Sequence, residues 1–154
     1  MTATVKGPND EIDLDALTRF AQAILDGEGL DDSAAVTIRL VSNDEIAELN
    51  ETHLGRSGPT DVLAFPIEDA EPGNPPKRLP GAPPLDLGDI FIATHVVHQH
   101  ADEYGVDFST ELHLMVCHGL LHLLGWDHET TEDAERMEQR EADHLGRVGM
   151  VRRP

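Results

Sequence analysis

The sequence predicts an α+β fold in a single domain. The chain has 154 residues, the usual size of one domain, and about 70% of the unfolded surface can be buried at this length. Apolar runs at helical spacing occur beside short runs rich in β-branched residues, and no internal repeat is visible. Cys117 is the only cysteine, so the core forms without an intrachain disulfide, as is usual in a reducing compartment.

The first third of the chain predicts a helix, a strand and a second helix. Residues 13–26 place apolar side chains at helical spacing and stop at glycine. Residues 34–41 are rich in β-branched side chains, which is typical of a strand. Residues 43–54 start with capping residues and run to Gly55, which predicts a short helix.

Two more strands and three helices follow. Residues 58–66 open with a turn and run into a short strand, and a proline-rich loop precedes the strand at 87–93. Helices are predicted at about 94–104, 110–124 and 131–145. The helix at 110–124 is apolar on nearly every face, so we expect it in the middle of the core.

The chain is strongly acidic, with 30 acidic and 11 basic residues and a net charge of −19. This charge weighs against a bulk electrostatic interaction with nucleic acid, whose phosphates are normally bound by clustered Lys and Arg. No apolar run approaches the length of a membrane span, and the amino terminus has no apolar leader segment. We therefore expect a cytoplasmic protein without a membrane partner.

The stretch HGLLHLLGWDH at 118–128 predicts a metal site. His118 and His122 are four residues apart, so on a helix both can reach one ion. Gly125 tolerates a positive φ, which would end the helix and turn His128 back toward the other two. Three imidazoles around zinc leave a fourth position open, as in catalytic sites.

Two alternatives stand beside the catalytic metal site. The histidines could be hydrogen-bonded core or surface residues, although unpaired imidazoles in an apolar helix are costly. A closed structural zinc site would need a fourth ligand, but Cys117 lies about 100° around the helix from His118, and we interpret it as a buried apolar residue. The acidic run at 127–143 is interpreted as a solvated face. His113 is interpreted as a surface or partly buried residue. The remaining histidines are interpreted as solvated: His53, His95, His98, His100 and His144.

Gly119 stands where zinc peptidases of the HExxH type have the glutamate that takes a proton from water. Glycine cannot act as that base. Zinc alone still lowers the pKa of its water to about 7, and a cation stabilises the oxygens of a charged transition state. The substitution therefore disfavours peptide hydrolysis and leaves phosphodiester cleavage open.

The eleven residues resemble the HGxLHLxGyDH signature of the YbeY family, bacterial rRNA maturation factors described as metal-dependent, single-strand-specific endoribonucleases. The resemblance extends to LGDI at 87–90, to PTDVL at 59–63 with the following Phe65-Pro66, and to Leu49-Asn50, and so spans roughly residues 36–145. It implies a zincin-like single domain with a small mixed sheet packed against helices and a central metal-binding helix.

The resemblance also implies site residues. His118, His122 and His128 would bind one Zn²⁺ ion, with His118 and Arg56 taking part in catalysis. The family tends to keep an arginine before its PTDV block; that slot is Leu54 here, and Arg56 is displaced by two. Arg56 is therefore either its replacement or an ordinary loop cation. Asp61 begins the strand after the turn, and from this position we expect it to orient a ligand histidine or to cap a helix, with a structural role favoured over a catalytic one.

The function implied is cleavage of single-stranded RNA in rRNA 3′-end maturation and ribosome quality control, with the small ribosomal subunit or its proteins as partners and no DNA substrate. The ion would bind a phosphoryl oxygen or deliver hydroxide. Two rival functions are a non-catalytic zinc-containing ribosome assembly factor, favoured by the acidity and the displaced arginine, and a metallopeptidase with its base supplied from elsewhere.

Overall fold

The computed structural model of the protein describes residues 2–6 and 12–154. Strands and helices are mixed along the chain, which confirms the α+β class. In chain order the elements are β1 (Thr2–Lys6), α1 (Leu14–Gly27), β2 (Ala35–Val41), α2 (Asn43–Leu54), β3 (Val62–Pro66), β4 (Asp86–Ala93), α3 (Thr94–Tyr104), α4 (Phe108–Leu123) and α5 (Thr131–Gly146).

The four strands form one small mixed sheet in the order β1-β2-β4-β3. β2 pairs in parallel with both β1 and β4, whereas β3 runs antiparallel to β4. This arrangement confirms the mixed sheet implied by the family resemblance. β1 is absent from the predicted elements, because TATVK contains Val5 as its only large apolar side chain and gives no clear alternation.

Side-chain caps begin three of the helices. Asp13 accepts a hydrogen bond from the backbone N–H of α1, Thr130 does the same for α5, and Ser42 forms a capping box with Glu45 at the start of α2. α4 begins at Phe108, two residues before its predicted start, without a side-chain cap.

α4 is the central helix of the fold, as predicted. Eleven of its sixteen residues are buried, and the helix packs against β3, β4, α1, α3 and α5. Burial of apolar surface on all sides favours this position, since each fully buried Leu or Val contributes about 1.5–3 kcal/mol. The histidine motif begins near the carboxyl end of α4, so its first two histidines are carried by a largely buried helix.

Both faces of the sheet are covered. Ile90 and Ile92 of β4 belong to the main core with α1 and α4, whereas Ala93 packs with Ile46 and Leu63 in a smaller cluster. Successive residues of a strand point to opposite faces, which accounts for this division. Within the described residues, no helix is both long and apolar enough to cross a membrane.

Candidate metal centre

The structure brings together the three histidines that the sequence singles out. His118 and His122 lie on α4, and His128 lies in the segment between α4 and α5. Each offers one ring nitrogen such that the three nitrogens lie within 4.8 Å of one another. The Nε2 atoms of His118 and His122 are 3.0 Å apart. His118 and His122 are half-buried and His128 is exposed, so the cluster opens to solvent on one side.

The turn after α4 places His128. The helix ends in a Schellman motif, in which the N–H of Trp126 donates to Leu121 at 3.0 Å and that of Gly125 donates to His122 at 3.0 Å. Gly125 has a φ of 92°, as predicted. A Cβ on Gly125 would lie 2.2 Å from the carbonyl oxygen of Ala70, so the proline-rich loop packs directly on this turn.

Glu141 of α5 orients His118. Its Oε2 lies 2.7 Å from Nδ1 of His118, and the Glu141 side chain is 1% exposed. A carboxylate only accepts hydrogen bonds, so Nδ1 donates and a neutral His118 presents the lone pair of Nε2. Burial raises the pKa of Glu141, but the hydrogen bonds and charges of His118 and Arg152 outweigh it and lower the pKa below its ordinary value.

His122 is held in the neutral form that binds metals. Burial and then the nearby His118 and His128 lower the pKa of His122 to about 4, against the opposing effect of a hydrogen bond with the backbone of Trp126. Cys117, by contrast, is fully buried, and burial raises the pKa of its thiol well above the ordinary value. This agrees with its interpretation as an apolar residue.

The donor set fits a zinc ion. Two nitrogens at about 2.0–2.1 Å from a tetrahedral ion are about 3.3 Å apart, close to the 3.0 Å between the Nε2 atoms of His118 and His122. A carboxylate behind a ligand histidine is the usual support of such a site. The hydrogen-bonded Glu141 and the two converging lone pairs therefore form an arrangement able to bind a divalent metal.

The packing of α4 explains the glycine at position 119. A Cβ on Gly119 would lie 2.8 Å from Cγ2 of Ile90, and Ile90 is fully buried. Position 119 therefore faces β4 at a distance that leaves no room for a side chain. A glutamate at this position would have to displace Ile90, so close helix–sheet packing disfavours the base that zinc peptidases have there.

Two other predicted residues have no described contact with the three histidines, although Asp61 lines the same small cavity as His118 and Glu141. Arg56 is exposed in the loop after α2, where its N–H donates to the carbonyl of Asn50, and none of the described contacts joins it to the histidines. Asp61 accepts a hydrogen bond from the N–H of Val62, and its other oxygen lies 3.4 Å from Nδ1 of His100. The expectation that Asp61 orients a ligand histidine or caps a helix is therefore wrong.

Three polar residues are more buried than the sequence analysis predicts. His113 is buried, with Nδ1 2.7 Å from the carbonyl of Ser109. His144 is also buried, 2.7 Å from Glu28. Glu141 belongs to the acidic run, whose outer face does carry the expected pair of Glu132 and Arg136.

A signal for the burial of Glu141 was present in the sequence. The buried residues of α5 are Met137, Glu141, His144 and Leu145. They follow the i, i+4, i+7, i+8 spacing of a core-facing helix. The glutamate thus occupies an apolar face, where a carboxylate needs partners.

Comparisons with known proteins identify the family of the chain. The sequence matches the family model described as Endoribonuclease YbeY over residues 4–149. It is 42% identical to the Endoribonuclease YbeY of Moorella thermoacetica over 139 residues, covering 90% of this chain and 88% of that protein. The Bacillus velezensis protein of the same name is 39% identical over 141 residues, with 90% and 88% coverage.

A solved structure is similar as well. The solution structure of TM1509 from Thermotoga maritima superposes with a TM-score of 0.60 at 30% sequence identity. The match covers 95% of this chain and 91% of that one, so the similarity extends over the whole fold.

Proposed function

The chain belongs to the YbeY family of endoribonucleases, and from this premise we propose that it is a Zn²⁺-dependent enzyme that cleaves single-stranded RNA in rRNA 3′-end maturation. The observation that carries the proposal is the convergence of His118, His122 and His128 on one point with an open side. A cytoplasmic location, the small ribosomal subunit as partner and a single domain over residues 1–154 belong to the same proposal.

Each residue of the site would have a separate role. His118, His122 and His128 would hold the ion, with Glu141 keeping the proton of His118 on Nδ1. When bound, zinc supplies a Lewis acid and lowers the pKa of water to about 7. Gly119 provides no base, which suits a substrate whose phosphate already carries charge. Arg56 would offset the negative charge that develops on the phosphate.

The metal centre is tested by single substitutions. We expect purified protein to contain about one zinc per chain, and His118→Ala and His122→Ala to lose both the metal and the cleavage of a single-stranded RNA oligonucleotide. His95→Ala, which changes an exposed histidine on α3, is the control and should retain both. RNA cleavage that survives loss of the metal would refute the mechanism.

The same preparations separate the rival functions. A wild type that binds zinc and leaves RNA intact, alone or with small ribosomal subunits, would favour the non-catalytic assembly factor. Zinc-dependent turnover of a peptide substrate would favour the metallopeptidase. Cleavage of RNA, without cleavage of peptides, is the result that we expect.

Arg56 requires its own test. If Arg56 offsets charge in the transition state, Arg56→Ala should lower kcat by about 10²-fold, as loss of one stabilising donor does, and leave zinc content unchanged. Arg39→Ala, which removes an exposed arginine of β2, is the matched control. Equal rates for the two variants would make Arg56 an ordinary loop cation.

A further inference from the structure

Arg152, in the last residues of the chain, contacts the carboxylate that supports the candidate metal centre. Nε of Arg152 donates to Oε1 of Glu141 at 2.9 Å, while the other oxygen of Glu141 lies 2.7 Å from Nδ1 of His118. The family match ends at residue 149, so Arg152 lies beyond it. The chain Arg152–Glu141–His118 thus links the carboxyl-terminal segment to a metal-binding histidine.

The contact between Arg152 and Glu141 is shielded from water. The Glu141 side chain is 1% exposed and that of Arg152 is 16% exposed, so water competes little for either group. Arg152 also donates through Nη1 to the carbonyl of Arg153 at 2.8 Å. The N–H of Met150 donates to Leu145 at 3.0 Å, which ties the start of this segment to α5.

A carboxylate needs a partner on each oxygen to be held in one orientation. The terminal torsion of glutamate is broad and roughly two-fold, so a hydrogen bond to His118 alone leaves the carboxylate plane free to turn. The guanidinium is a planar and rigid donor, and its bond to Oε1 fixes that plane with Oε2 facing His118. The orientation of the imidazole then follows from that of the carboxylate.

We propose that Arg152 is a positioning residue of the metal centre, which acts through Glu141 to hold Nε2 of His118 toward the ion. The inference rests on the proposed zinc site. It makes metal affinity depend on the carboxyl-terminal segment, so that a chain shortened before Arg152 would fold around a weaker centre.

Arg153 provides a matched control. Its Nε lies 3.0 Å from Oε1 of Glu111, whose side chain is 1% exposed, like that of Glu141. Arg153 also lies over the ring of Tyr104, with Cζ 4.0 Å from the centroid. Removing either arginine therefore leaves a buried glutamate without its cation, but Glu111 has no described contact with the three histidines.

The experiment compares zinc affinity in Arg152→Ala, Arg153→Ala and wild type by competition with a chelating dye. Loss of a supporting residue behind a ligand weakens metal binding by about 10–100-fold, and we expect the lower end for Arg152→Ala and less than about twofold for Arg153→Ala. Cobalt substitution adds a spectroscopic readout: the visible absorption of the Co²⁺ form should change in Arg152→Ala and keep its wild-type shape in Arg153→Ala.

The outcomes are distinguishable. Equal zinc affinities and Co²⁺ spectra in the two variants would overturn the positioning role and leave the metal centre intact. A wild type that binds no zinc would overturn both. If Arg152→Ala does not fold, Arg152→Met keeps a long side chain without any donor, and wild-type zinc affinity in that variant would equally overturn the proposal.

Discussion

Replacing Gly125 by alanine tests how closely the proline-rich loop packs on the metal-binding turn. Gly125 has a φ of 92°, and a left-handed backbone costs a residue with a Cβ about 1–2 kcal/mol. That Cβ would also lie 2.2 Å from the carbonyl oxygen of Ala70, and relief of such an overlap costs about 1–3 kcal/mol more. We expect the free energy of unfolding to fall by about 3 kcal/mol, which corresponds to a decrease in Tm of roughly 6–12 °C.

Gly73→Ala is the matched control for this substitution. Gly73 has a φ of 73° in the same loop, and no atom lies within 4 Å of the position of its Cβ. Alanine there should cause the backbone strain alone, about 1–2 kcal/mol. Urea unfolding of the metal-free variants, followed by circular dichroism, measures both losses, and their difference reports the contact between Gly125 and Ala70.

Gly125→Ala should also weaken zinc binding, because Gly125 turns the chain that carries His128. Gly73→Ala should leave the zinc affinity at the wild-type value. If the two variants are equally stable and bind zinc equally well, the close packing of loop and turn does not control the site, and the reasoning is refuted.

Three further predictions concern packing, pH and metal. Gly119→Glu should lose at least about 1–3 kcal/mol of unfolding free energy, because its Cβ would lie 2.8 Å from Ile90, and should gain no peptidase activity in a peptide-cleavage assay. Burial raises the pKa of Glu28, but hydrogen bonds with two basic side chains outweigh it and lower the pKa below the ordinary 4.5. Glu28→Gln should therefore lower the free energy of unfolding by about 2–3 kcal/mol at pH 7. The loss should shrink as the pH falls below 4.5 through the folded-state pKa, because the wild type then loses the same stabilisation. Urea unfolding across this range checks it, with exposed Glu132→Gln as the control. Zinc at about 100 times its Kd should raise the stability by about 2.7 kcal/mol, which a thermal melt should detect in wild type and not in His122→Ala.

Local patterns predict most of the elements but not their arrangement. α1 and α5 start at Asp13 and Thr130, whose caps close within three residues, so the signal lies in one short window. β1 instead depends on pairing Thr2 with Ala35, and no short window contains both strands. The strand order has the same origin, because the pairing of Ile38 in β2 with Ile90 in β4 is set by long-range packing.

Part of the candidate site is likewise predictable from local spacing, and part depends on tertiary contacts. His118, His122 and Gly125 fall within one helix and its terminal turn, so their spacing alone predicts the cluster. Glu141 comes from α5, and its role depends on how α5 packs against α4 and on the bond to Arg152. A carboxylate in an acidic run is normally solvated, and only the tertiary contacts reverse that expectation.

Ion pairs within the protein limit which basic side chains are available to bind RNA. Arg140, Arg152 and Arg153 each pair with a glutamate whose side chain is at most 3% exposed, so these arginines neutralise internal carboxylates rather than RNA phosphates. With a net charge of −19, bulk attraction for phosphate is weak, and under the proposed function it would come mainly from a metal ion at the histidines and from Arg56.

We therefore expect the affinity for a 2′-O-methyl single-stranded oligonucleotide to depend more on zinc than on salt. Contact with about two phosphates gives a slope near −1.4, so a fourfold rise in salt weakens binding about sevenfold, whereas chelation of the metal should weaken it further than that. Fluorescence anisotropy with and without EDTA measures both effects. If the metal-free protein keeps its affinity, or if the slope is steeper than about −3, RNA is bound by an extended basic surface. Either result would refute the view that the metal supplies most of the attraction for phosphate.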